Sequence, residues 1–138
     1  AAATVSRILD GFPPAQQFQI RMMLTESLRG ILSQQLVPRK DRRGVALALE
    51  ILFATPAVCA LLRDNKPYQI PATLQSGRRL GMCRLEDSLL DLVNAGVIDG
   101  AEAWRRAPNK QGFERFNPNN AANAPAGSSP NPGASPAR

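Results

Sequence analysis

The chain has 138 residues, enough for one compact domain with its own apolar core, and carries a net charge of +6 from 17 Lys and Arg against 11 Asp and Glu. It contains no histidine, which removes the commonest general base and the commonest transition-metal ligand together. The positive excess suits an acidic partner, but the charges are scattered and aromatics are few, so nucleic acid is not expected as the main partner.

Composition divides the chain in two. Residues 1–107 are rich in Leu, Ile, Val, Ala and charged residues. From Pro108 to Arg138 the chain turns to Pro, Asn, Ala, Gly and Ser, with Phe113 and Phe116 almost its only large apolar side chains. Such a segment buries too little to offset its ordering entropy, so residues 108–138 are expected to form a disordered tail. Cys59 and Cys83 fit no zinc or redox spacing and read as reduced, buried thiols. No apolar run reaches membrane-spanning length and the first residues lack a signal-peptide layout, so a soluble, cytoplasmic protein is expected.

Val5, Ile8 and Leu9 predict a short helix closing near Gly11. Pro13 and Pro14 suit the start of a second helix reaching Arg29, with Ile20, Met23, Leu24, Leu28 and Ile31 on one face and Gly30 as its stop. Ile31–Pro38 reads as a strand. Val45–Phe53 is the clearest strand, with bulky Val45, Leu47, Leu49, Ile51 and Phe53 alternating with Ala46, Ala48, Glu50 and Leu52. The two make a hairpin with a basic tip, Arg39 to Gly44. Thr55-Pro56 then caps a helix carrying Val58, Leu61 and Leu62. Pro71–Ser76 gives a further turn or two ended by Gly77. Leu85, Leu89, Leu92 and Val93 mark an amphipathic helix stopped at Gly96, and Asp99 with Glu102 forms a capping box for a last helix carrying Trp104. Two strands make a marginal sheet, and Val45–Phe53 calls for more sheet than the chain supplies.

No catalytic, cofactor-binding or metal-binding residue emerges. A phosphate loop needs a Gly-Lys pair and there is none; Gly77 to Gly81 is basic and glycine-flanked, but two helix ends account for both glycines. Glu86, Asp87 and Asp91 read as a solvated face near a helix start. Ser27, Ser33 and Ser88 have no histidine to activate them. The remaining candidates are Arg39, Lys40, Arg42 and Arg43 at the hairpin tip, as contacts for an acidic partner.

Several stretches in order carry a resemblance. Ser33-Gln34-Gln35-Leu36-Val37-Pro38-Arg39-Lys40 and Ala48-Leu49-Glu50-Ile51-Leu52-Phe53-Ala54-Thr55-Pro56-Ala57 are similar to the closing portion of pilus-retraction (twitching-motility, PilT-like) ATPases. Ser6-Arg7-Ile8-Leu9-Asp10-Gly11-Phe12-Pro13-Pro14 resembles the stretch after that family's histidine box, and Gln69-Ile70-Pro71, Gly81-Met82 and Leu89-Leu90-Asp91-Leu92-Val93 follow in the same order. The resemblance covers residues 1–107. It implies an α/β fold, the C-terminal portion of a RecA-like P-loop ATPase domain, here a helix, a β-hairpin and a small helical bundle. It implies a segment of a hexameric, ATP-driven motor for type IV pilus retraction, in the cytoplasm and peripheral to the inner membrane. Its partners would be the rest of the ATPase, neighbouring subunits and the inner-membrane platform proteins of the pilus.

ATP and magnesium would be bound in the parent protein, and the phosphate loop and histidine box would precede this segment, leaving it inactive alone. The family's retraction helix, patterned Ala-Ile-Arg-Asn-Leu-Ile-Arg-Glu, falls on Ala57, Val58, Leu61, Leu62, Arg63 and Asp64, with Cys59 and Ala60 in place of its Arg and Asn. The alternative is a non-enzymatic interaction module or degenerate paralogue that binds an acidic partner through the hairpin tip.

Overall fold

A period-two strand must choose which face it buries, and here it buries the smaller side chains. The computed structural model describes residues 1–121. In it β1 (Gly30–Pro38) and β2 (Val45–Phe53) form an antiparallel hairpin whose register runs from Gly30 opposite Phe53 to Pro38 opposite Val45. Ile31, Val37, Ala46, Ala48 and Leu52 point into the protein. Leu32, Leu36, Val45, Leu47 and Phe53 point out, with Leu32 70%, Leu36 57% and Val45 54% exposed.

Helices cover only the inward face. Near the Ile31–Leu52 end lies a first core, built with α1 (Ala2–Asp10), α3 (Pro56–Arg63) and α4 (Ile70–Ser76), whose centre is Val5, Val58, Leu62 and Ile70. A second core at the Val37–Ala46 end joins Ala48 to α5 (Leu85–Asn94) and α6 (Gly100–Arg106) through Leu89, Ile98 and Ala103. Between them Ser33, Gln35 and Glu50 leave a half-buried polar strip. The small side chains of Ala46 and Ala48 let α5 lie close to β2, where Ser88 Oγ accepts from the Leu49 backbone N–H at 3.0 Å.

Local chemistry explains the helix ends. Thr55 accepts from the Val58 N–H at 3.4 Å, with Pro56 in the first turn. Gly96, at φ 69, closes α5 as expected. The second helix, α2 (Pro14–Ser27), is shorter than predicted: Leu28 is already extended, Ile31 belongs to β1, and Met23 is exposed. Gly30 is therefore not a helix stop. A Cβ there would stand 2.9 Å from the Leu52 carbonyl oxygen across the hairpin, so close strand approach requires the glycine. Gly77 likewise continues into a 3₁₀ turn (Gly77–Leu80) rather than ending the chain's helical run.

Two further expectations need correction. The Asp99 side chain makes no capping hydrogen bond, and Glu102 pairs with Arg105 and Arg106 on its own helix instead of reaching back. The packed part also does not end at Ala107. The chain returns so that Phe113, 1% exposed, sits in the second core, and Phe116 lies against Gly100. One buried aromatic side chain outweighs the polar composition around it. The expectation of disorder for the residues beyond Ala121 falls outside the described residues. Phe113→Ala is expected to lower stability by about 3–5 kcal/mol, the cost of emptying a buried aromatic site, as measured by urea unfolding.

Candidate functional site

The retraction-motif positions divide by burial. Val58 and Leu62 are core residues of α3, and Leu61 packs half-buried at its margin. Ala57 and Arg63 face solvent, as does Asp64 at the helix end, where it lies 3.5 Å from Lys66. This face sits just past the Phe53 end of the sheet, whereas the basic tip is at the other end. Nine strand residues separate them by about 30 Å, so the two candidate regions form no single site.

At the tip, Arg39 donates to Asp41 through Nη2 at 2.9 Å and through Nε, and Asp41 Oδ1 accepts from the Arg43 N–H at 3.0 Å. The Arg39 guanidinium holds the Asp41 carboxyl below its usual range. Lys40 stands 3.9 Å from Asp99, an exposed and weak pair. Arg42 and Arg43 have no carboxylate within ion-pair distance among the described residues.

The sheet offers a surface that sequence patterning only hinted at. Antiparallel pairs alternate between hydrogen-bonded and non-bonded, and the bonds from Ala54 to Arg29 and from Arg39 to Gly44 at the hairpin's ends fix which pairs bond. Ile31, Ser33, Gln35 and Val37 bond to β2, so Leu32, Gln34 and Leu36 turn their N–H and C=O groups outward. Among the described residues those outward groups meet no partner. The outer edge of β2 differs: Cys83 exchanges two hydrogen bonds with Ile51, at 2.8 and 3.0 Å, and Ser88 takes the Leu49 N–H. One edge is capped and the other is open.

The Gly77–Gly81 turn does not form a phosphate cradle. Within Gly77–Gly81, a Cβ at Gly77 would meet Met82 Sδ at 2.2 Å, and Gly81 adopts φ 85 beside Phe53. The Gly81 and Met82 N–H groups are spent on the carbonyls of Arg78 and Gly77, leaving no cradle of free amides. No group of three or more His, Cys, Asp or Glu among the described residues could hold a metal ion. Clefts of about 310 to 390 Å³ border the polar strip and α5, lined by Glu50, Arg84, Glu86 and Pro108 among others, without convergent chemistry. Cys59 and Cys83 are free and half-buried, and burial pushes the Cys83 thiol up, which keeps it protonated.

Asp87 departs from its expected solvated role. It is 9% exposed and takes a two-pronged bond from Arg84, Nε at 3.0 Å and Nη2 at 2.8 Å. The Arg84–x–x–Asp87 spacing was the available signal. The guanidinium holds the Asp87 carboxyl below its usual range.

Comparisons place this geometry among known proteins. No family model matches the chain. It is 44% identical over 111 residues to a twitching motility protein of Neisseria gonorrhoeae, covering 80% of this chain and 30% of that protein. It is 37% identical over 113 residues to the type IV pilus retractation ATPase PilT of Pseudomonas aeruginosa, covering 82% and 33%. A crystal structure of the pilus retraction motor PilT with bound ADP superposes with a TM-score of 0.71 at 34% identity, covering 83% of this chain and 32% of that one. The Legionella pneumophila ATPase DotB shares the fold at a TM-score of 0.60 and 19% identity, covering 75% and 28%.

A two-stranded hairpin with one capped edge, backed by helices on a single face, is thus the C-terminal portion of a RecA-like ATPase domain. Within that class the chain is a C-terminal segment of a PilT-like ATPase. It spans about a third of the length of the curated relatives it matches.

Asp87→Asn is expected to cost about 1.5–3 kcal/mol at pH 7, as for other hydrogen bonds to charged groups. Because the folded carboxyl titrates below the unfolded one, its contribution is complete above the ordinary carboxylate range. It is lost as pH falls through the folded value, so wild type and variant should converge in urea melts there.

Proposed function

We propose that this chain is the closing, mechanical segment of a type IV pilus retraction motor, seated on the remainder of an ATPase that holds ATP and magnesium. The carrying observation is the unfinished sheet. Leu32, Leu36, Val45, Leu47 and Phe53 present apolar side chains to solvent on one face, and along one edge β1 presents backbone groups that are unpaired among the described residues. Burying one leucine of that face is worth about 1.5–3 kcal/mol, and an open β-edge accepts a further strand. Both features suit a segment completed by the polypeptide that precedes it in the longer relatives.

In this reading, movement of the ATPase passes through the sheet into α3, whose core residues Val58 and Leu62 lock it to β1 and β2. Its outer residues Ala57, Arg63 and Asp64 are then free to meet neighbouring subunits or the membrane-embedded pilus platform. No helix among the described residues is long and apolar enough to cross a membrane.

The test is a chimaera in which this segment replaces the corresponding third of the gonococcal twitching motility protein. The chimaera should assemble, hydrolyse ATP and restore twitching, while the isolated chain should hydrolyse none. Placing Asp at both Leu36 and Leu47 should abolish assembly and hydrolysis of the chimaera while leaving the isolated segment folded. A chimaera that is active and indifferent to those substitutions contradicts the seating on this face. One that assembles and hydrolyses ATP but never supports twitching contradicts the assignment to pilus retraction.

A further inference from the structure

We infer that the hairpin tip is a docking finger for an acidic peptide segment of another protein, with Arg42 and Arg43 as its contacting residues. The surface is separate from the unfinished sheet and does not depend on the motor reading. Its four cations are not equivalent. Arg39 is committed to Asp41, and Lys40 is partly offset by Asp99. Arg42 and Arg43 are exposed and, among the described residues, uncompensated.

The turn that carries them is held from several sides. Arg39 and Gly44 close it by backbone hydrogen bonding, and the Arg42 N–H donates to the Arg39 carbonyl oxygen at 3.0 Å. Asp41 Oδ1 takes the Arg43 N–H, and the Lys40 N–H donates to the Val97 carbonyl oxygen at 2.9 Å, tying the tip to the loop after α5. Arg42 itself has φ 58, a left-handed conformation unfavourable for a residue with a Cβ. A loop needing only solubility would place Gly or Asn there. An arginine held in that strained position, beside a second arginine, sets two guanidinium-bearing side chains on a backbone that is already ordered.

The chemistry favours a protein carboxylate over a membrane surface or a nucleic acid. Two cations are too few for the polybasic attachment a membrane surface needs, and no aromatic residue lies between Ile31 and Leu52 to stack a base. Guanidinium pairs match carboxylates two-pronged.

The experiment titrates the 138-residue chain with a Glu-rich helical peptide, following backbone amide shifts at low salt. Shifts should concentrate on residues 39–44. Arg42→Glu with Arg43→Glu should weaken binding by about ten-fold or more, as expected for loss of complementary charge. Arg78→Glu with Arg79→Glu, an equal change of net charge at another exposed site, should leave it within about two-fold. Arg42→Gly should bind more weakly yet unfold at no lower denaturant concentration, since glycine tolerates this conformation. Shifts spread across the body, equal weakening by the control pair, or no binding would overturn the inference. So would tighter engagement of residues 39–44 by a duplex oligonucleotide or by phosphatidylglycerol vesicles.

Discussion

The pairing parity of the hairpin governs everything else in this molecule. With Ile31 set opposite Leu52 in a bonded pair, every residue of β1 and β2 is assigned both a face and a hydrogen-bonding direction. Ala46, Ala48 and Leu52 must then turn inward and Leu32, Leu36 and Leu47 outward. The same parity sends the Leu49 and Ile51 backbone groups toward Ser88 and Cys83, and turns those of Leu32, Gln34 and Leu36 outward, where among the described residues they meet no partner. A slip of one residue would bury Gln34 and expose Val37, so the two cores and the open edge stand or fall together.

That arrangement explains how a segment this small holds together while leaving so much apolar surface bare. Two cores share one sheet face, separated by the strip of Ser33, Gln35 and Glu50, and each is closed by a different set of helices. Phe113 closes the second core from beyond α6. Because Val58 and Leu62 belong to the first core, α3 is packed directly against Ile31 and Leu52 of the sheet. At the other end the Lys40 N–H ties the tip to the Val97 carbonyl oxygen. One continuous hairpin thus spans the roughly 30 Å between two exposed regions.

Much of the fold was legible from residue pattern. The alternation in Val45–Phe53 located β2, Thr55-Pro56 located the start of α3, and Gly96 the end of α5. What periodicity could not supply was the inward direction of β2, since both of its faces are apolar and only packing decides between bulky and small. Gly30 misled because a glycine after a helical pattern usually stops a helix, whereas here Leu52 across the hairpin demands it. Asp87 and Phe113 differ from their local composition for separate reasons: Arg84, three residues earlier, holds Asp87 in a two-pronged pair, and one large side chain draws Phe113 into the second core. Of the candidate site, the basic tip was visible as a run of charge, but the internal neutralisation of Arg39 and the open edge of β1 follow only from three-dimensional pairing.

Amide hydrogen exchange along β1 addresses the unfinished sheet most directly. In the isolated chain, the N–H groups of Ile31, Ser33, Gln35 and Val37 are expected to exchange slowly and those of Leu32, Gln34 and Leu36 fast. In the assembled chimaera all seven should be slow. Equal protection of Leu32, Gln34 and Leu36 in the isolated chain, or continued rapid exchange after assembly, would contradict the account.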